Sequence, residues 1–168
     1  MLTAPESLRE EHEEILNSLR ACSKLRDGTG RSIVRVLRVL EPHLKKENEL
    51  AMPILGSLAE LVSSKNVSRM KLQELDELRE AFLIEYKTMF EEHSDLRSLI
   101  SEAKQHAYKE KHRDVADLLD ALALHARIEE EVLYPAALIV GTHARYLLQR
   151  SEKMSPEIRP AHLLQNLE

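Results

Sequence analysis

The chain has 168 residues, one domain's length and enough to bury a core without disulfide staples. Hydrophobic residues make up 43%, charged residues 32% and aromatics only 4%, with 4 glycines and 6 prolines; that balance favours helices over a sheet. A net charge of −5 with no basic stripe argues against a nucleic-acid partner, and apolar runs such as Ala136–Val140 are too short to cross a bilayer. Glu6, Glu10, Glu11, Glu13 and Glu14 leave no signal peptide in the first twenty residues. A single cysteine, Cys22, excludes an intramolecular disulfide and fits a reducing, cytoplasmic setting.

Apolar residues recur at helical spacing along most of the chain. A first helix is predicted from about Pro5 to Leu25, with Leu8, Ile15 and Leu19 on one face. Asp27-Gly28-Thr29-Gly30 breaks the pattern. A second helix runs from about Ser32 to Val62, kinked or shortened by Pro42 and Pro53. The third is long, about Ser68 to His106, with Leu75, Leu78, Phe82, Met89, Leu96 and Ile100 as its stripe. A charged joint, Lys109–His112, leads to a fourth helix at Asp114 that carries Val115, Leu118, Leu122 and Val132. Pro135 and Gly141 loosen its far end, and residues 142–150 form a short helical extension. The expectation is an all-α, up-down-up-down four-helix bundle over residues 1–150, followed by a peripheral tail at 151–168.

The chain also repeats itself. Glu10-Glu11-His12 recurs 81 residues later as Glu91-Glu92-His93. His43-x-x-x-Glu47-x-Glu49-x-x-x-Pro53 recurs 82 residues later as His125-x-x-x-Glu129-x-Glu131-x-x-x-Pro135. Each half thus has a lone His on its first helix and a His-x-x-x-Glu on its second, which predicts two hairpins related by a pseudo-twofold axis. Residues i and i+4 lie about 40° apart around a helix and about 6 Å along it. His43 with Glu47, and His125 with Glu129, therefore project from one face, and all fall on apolar stripes. His12 replaces an apolar residue between Leu8 and Ile15, and His93 does so between Met89 and Leu96.

Six polar groups in one core are costly unless something satisfies them, and a bound cation would. Imidazole with carboxylate suits iron, and also zinc or manganese. Two bridging glutamates with two terminal histidines per ion leave room for an oxo, hydroxo or water bridge. Random placement of 8 histidines would rarely land on the stripe with offsets of 81 and 82. His12, His43, Glu47, His93, His125 and Glu129 are therefore the predicted metal ligands. His106, His112, His143 and His162 are predicted to be non-ligands. Glu49 and Glu131 read as solvated positions or as acceptors for ligand imidazoles. Tyr86, two turns before His93, reads as core, the lesser alternative being a hydroxyl that reaches a bridging glutamate. Cys22 is predicted to be inert.

These residues resemble the hemerythrin-like, or HHE cation-binding, domains. The match rests on Glu11-His12, His43-x-x-x-Glu47, Glu92-His93 and His125-x-x-x-Glu129-Glu130-Glu131-x-x-Tyr134-Pro135, and it covers about residues 6–140. The resemblance implies a bundle with a non-haem di-iron centre, the four histidines as terminal ligands and Glu47 and Glu129 as bridges. Oxygen-carrying hemerythrins place a fifth histidine where this chain has Arg97, and a carboxylate five residues after the last His rather than four. The four-His, two-Glu set is thus closer to bacterial and archaeal HHE proteins, some linked to repair of nitrosatively damaged iron–sulfur centres. The expected function is a di-iron protein that binds or senses dioxygen, nitric oxide or peroxide, or handles iron. The alternatives are a di-iron enzyme and a zinc-filled or metal-free interaction module.

Overall fold

The computed structural model describes residues 2–63 and 67–154, and these contain helices and no strand. Seven helices follow in chain order: α1 (Glu6–Cys22), α2 (Gly28–Glu49), α3 (Ala51–Gly56), α4 (Leu58–Ser63), α5 (Arg69–Lys109), α6 (Arg113–Ile128) and α7 (Tyr134–Met154). A π-helical turn, Glu129–Leu133, joins α6 to α7. Helix α5, 41 residues and about 60 Å long, is the spine. It packs on α2, α6 and α7, while α1 packs on α2 and α6. No helix is long and apolar enough to cross a membrane among the described residues.

Buried apolar side chains form two clusters. One gathers Leu19, Ile33, Leu40, Leu44, Leu96, Ile100, Leu119 and Leu122. The other gathers Ile54, Leu75, Phe82, Met89, Tyr134, Ala137 and Val140. The clusters meet at one level, where His43 and Glu47, His93, and His125 and Glu129 follow or interrupt their stripes. The six repeated histidines and glutamates therefore lie at the waist, between two apolar masses.

Several predicted boundaries move, each for a local reason. Gly28-Thr29-Gly30 is the first turn of α2 rather than a break. Asp27 caps that turn by accepting from the Gly30 N–H (3.0 Å), and Glu110 accepts from the N–H groups of Gly28 (2.9 Å) and Thr29 (2.7 Å). The three orphan donors are satisfied, so glycine does not end the helix there. Pro42 is exposed inside α2 and does not divide it, whereas the segment before Pro53 breaks at Leu50 (φ −113°, ψ −61°). Pro135 and Gly141 do not loosen the last helix: α7 is continuous to Met154, so there is no separate extension at 142–150. Gly141 lets α7 approach the Arg79 stem of α5, which a Cβ would meet at 2.8 Å. Residues 155–168, most of the predicted tail and with it His162, lie outside the described residues.

The turn between α5 and α6 puts Lys111 at φ 66°, with the His112 N–H bonded to the Ala107 carbonyl at 2.8 Å. That is a left-handed helix end normally given to glycine. Lys111→Gly is expected to raise stability by up to about 1 kcal/mol. Gly30→Ala would put a Cβ 2.0 Å from the Leu25 carbonyl oxygen and is expected to lower stability by roughly 1–3 kcal/mol. Urea denaturation of both variants checks the opposite signs.

Candidate metal centre

Glu47 and Glu129 occupy the middle of the waist, at 0% and 1% exposure, with His12, His43, His93 and His125 around them. The oxygens of each carboxylate turn to different histidines. Glu47 Oε1 lies 3.3 Å from His43 Nε2 and 4.0 Å from His93 Nε2, while its Oε2 lies 3.8 Å from His12 Nε2. Glu129 Oε2 lies 3.4 Å from His93 Nε2, and its Oε1 lies 3.4 Å from His12 Nε2 and 2.9 Å from His125 Nε2. The six side chains thus form two donor groups, His43–Glu47–His93–Glu129 and His12–His125–Glu129, each compact enough to hold one ion. The carboxylates span from one group to the other.

The outer face of every imidazole is tied down. His12 Nδ1 meets Asn48 Oδ1 at 3.1 Å, His43 Nδ1 meets Glu92 at 2.8 Å, His93 Nδ1 meets Glu130 at 3.1 Å, and His125 Nδ1 meets Glu11 at 3.1 Å. With an acceptor beside each Nδ1, the Nε2 atoms are the ones turned inward, those of His43 and His93 lying 2.7 Å apart; an Nδ1–H tautomer there is the one a metal ligand needs. Tyr134, fully buried, donates its hydroxyl to Glu47 Oε1 and stacks on the His93 ring with planes 10° apart.

A fit test for a cation is available in the polar atoms themselves. Among the described residues, His12 Nε2, His125 Nε2, Glu47 Oε2 and Glu129 Oε1 are buried without a hydrogen-bond partner. His125 Nε2 and Glu129 Oε1 are close but not directed at each other as donor and acceptor. Orphaned polar atoms cost roughly 1–3 kcal/mol each in a protein interior, and four at one point call for a shared partner. The donor set fits a divalent transition ion: imidazole nitrogen and carboxylate oxygen suit iron, zinc or manganese.

In the metal-free fold the imidazoles and carboxylates shift one another. Burial pulls the His125 imidazole down, but Glu129 and Glu11 outweigh it and raise it to about 9. His43 likewise ends above its ordinary value, because Glu47 and Glu92 outweigh burial. Burial pushes the Glu129 carboxyl up, yet the neighbouring imidazoles of His12, His125 and His93 hold it well below the usual carboxylate range. Burial beside Glu47 and Glu129 drives the Tyr134 phenol far upward, so it stays protonated and remains a donor.

The structure thus brings all six predicted ligands together. Of the predicted non-ligands, His106 abuts Gly28 at the far end of the molecule, His112 pairs with Asp27 at 2.7 Å, and His143 is exposed. Asp27, Glu110 and His112 also cluster, but their oxygens are engaged in capping α2. Glu49 and Glu131 are exposed and touch no ligand imidazole; Glu49 faces Lys45. Their neighbours at 48 and 130 take that role instead. The phenol on Glu47 is that of Tyr134, not Tyr86, whose ring lies 6.1 Å from the Tyr134 ring. Val132, predicted for the stripe, is 55% exposed.

Sequence reasoning missed Tyr134 because the helix is not α-helical there. Pro135 cannot donate to the Glu131 carbonyl, and the chain widens into a turn in which the Tyr134 N–H bonds to the Glu129 carbonyl, five residues back. That wider turn carries Tyr134 over the site; in an α-helix it would point about 140° away from Glu129. The Glu-Glu-His repeat held a signal for Glu11 and Glu92, since both precede a ligand.

The raised His125 and His43 stabilise the metal-free fold by taking up protons. That contribution is complete below pH 6.5; the His125 part is lost as pH rises through about 9, and the His43 part as pH rises above the ordinary imidazole range. Metal binding needs the same imidazoles deprotonated. The melting temperature of metal-free protein is therefore expected to fall from pH 6.5 to 9, while the gap to zinc-loaded protein widens. Scanning calorimetry of both forms across that range checks the two slopes.

No family model, curated protein or solved structure matches the chain.

Proposed function

We propose that this chain is a non-haem di-iron protein of the hemerythrin-like kind. In this reading it is an up-down-up-down four-helix bundle of two hairpins about a pseudo-twofold axis. It acts in the cytoplasm, where it binds or senses dioxygen, nitric oxide or peroxide, or handles iron. One observation carries the reading. Two buried carboxylates each reach both histidine pairs, and four polar atoms between them are orphaned. His12, His43, His93 and His125 would hold the ions as terminal ligands, with Glu47 and Glu129 between them. Bound iron would supply open coordination positions and a change of oxidation state, because two histidines and two shared carboxylates do not fill an octahedral ion. The chain's own contribution is to aim the Nε2 lone pairs inward, to fix Glu47 through Tyr134, and to wall the site from water with Met89 and Leu96 on α5.

The test is metal content with the visible and near-ultraviolet spectrum of protein purified in air. Two irons per chain with ligand-to-metal charge-transfer bands are expected, and His93→Ala should lower the iron content and abolish the di-iron bands. Substoichiometric metal that is indifferent to His93→Ala would sink the reading. A catalytic variant of the same reading, turnover of peroxide or nitric oxide, is favoured by the buried Tyr134 hydroxyl, 3.4 Å from His43 Nε2. Steady turnover that drops in Tyr134→Phe while iron content holds would distinguish it from binding alone.

A further inference from the structure

The two histidine pairs follow one plan, but they are not copies. Each lone histidine takes its Nδ1 acceptor from the residue after its own half's glutamate: Asn48 for His12, Glu130 for His93. Each histidine of a His-x-x-x-Glu takes its acceptor from the residue before the other half's lone histidine: Glu92 for His43, Glu11 for His125. Of these four acceptors three are carboxylates, and the repeat is broken at Asn48, which stands where the second half has Glu130.

The next layer is broken in the same sense. Lys46 holds Glu92 at 2.8 Å and Arg97 holds Glu130 at 2.6 Å. At the corresponding repeat positions stand Ile128 and Leu16, which carry no charge. Glu11 is half exposed, whereas Glu130 is 12% exposed and Glu92 27%. Tyr134, which fixes Glu47 Oε1 on the His43–His93 side, corresponds to Met52, which has no such group. His43 and His93 are essentially sealed, while the His125 side chain keeps 8% exposure.

A carboxylate on Nδ1 makes an imidazole a stronger donor than an amide does, and loss of such a partner weakens metal binding about 10–100-fold. The cations beyond draw some charge from Glu92 and Glu130, but they also hold both carboxylates in the geometry the imidazoles need. We infer that the two ions are held unequally: the position between His43 and His93 is the resident one, and the position between His12 and His125 is the exchangeable one. This rests on the two-metal reading above and adds an order of loading to it. It also places exchange at the more open face, beside Glu11.

The test is titration of the metal-free full-length chain with zinc or cobalt(II) against a competing chelator. Two affinity classes are expected, at least about tenfold apart. The tight class should survive His12→Ala and disappear in His93→Ala. The isosteric Glu130→Gln should weaken the tight class about tenfold and leave the weak class unchanged, and Asn48→Asp should tighten the weak class. Circular dichroism of each metal-free variant confirms folding, and the two isosteric changes carry the test if an alanine variant does not fold. Two ions bound with indistinguishable affinity, or a tight class that follows His12 rather than His93, would overturn the inequality and leave the two-metal reading intact. Binding that ignores His12, His93 and Glu130 alike would overturn both.

Discussion

Glu47 and Glu129 are buried in the middle of a helical interior, and a charge in that position must be matched where it stands. The whole waist is organised by this requirement. Four imidazoles converge on two carboxylates, and each imidazole is backed by an acceptor of its own, so polar groups continue outward until Lys46, Arg97 and Glu11 reach the surface. A buried charge network of this kind is stabilising only when its members are satisfied. Here the satisfaction is complete on the outside of the ring and incomplete at its centre, where the orphaned atoms lie.

The apolar clusters above and below give that network its rigidity. Leu40, Leu44, Leu96 and Leu122 close it on one side, and Met89, Phe82 and Tyr134 on the other. Side chains in such packing hold single rotamers. The histidines are thus held by their helices and the packing around them, an arrangement that would keep a site ready for a ligand.

Much of this was legible in the chain. The six buried histidines and glutamates could be picked out because chemistry-bearing residues fell on apolar stripes twice, at nearly one offset. The stripe of α5 was read correctly from Leu75 through Ile100, apart from a half-buried Leu78, because nothing disturbs its period of 3.6. What escaped depended on contacts between segments remote in sequence. Gly28 and Gly30 look like a break until Glu110, more than eighty residues on, supplies the acceptor that lets α2 begin there. Asn48 and Glu130 sit one residue past a ligand, about 100° around the helix, where a stripe analysis sees only flank. Glu49 and Glu131, the acidic positions that share the repeat, drew attention that belonged to their neighbours.

The π-helical turn has a meaning beyond Tyr134. Along α6 and into the turn the buried positions are 115, 116, 119, 122, 125, 126 and 129, a stripe that unbroken would continue near 133 and 136. The buried positions are instead 134, 137, 140, 141 and 144. One residue has been spliced into the rhythm, so a single continuous rod keeps two phases: an early one that aims ligands at the waist, and a late one that lays Tyr134, Ala137 and Ala144 against the lower cluster. Removing that one residue would not shorten the helix so much as retune it, turning the late half by about 100° and its inner face toward solvent.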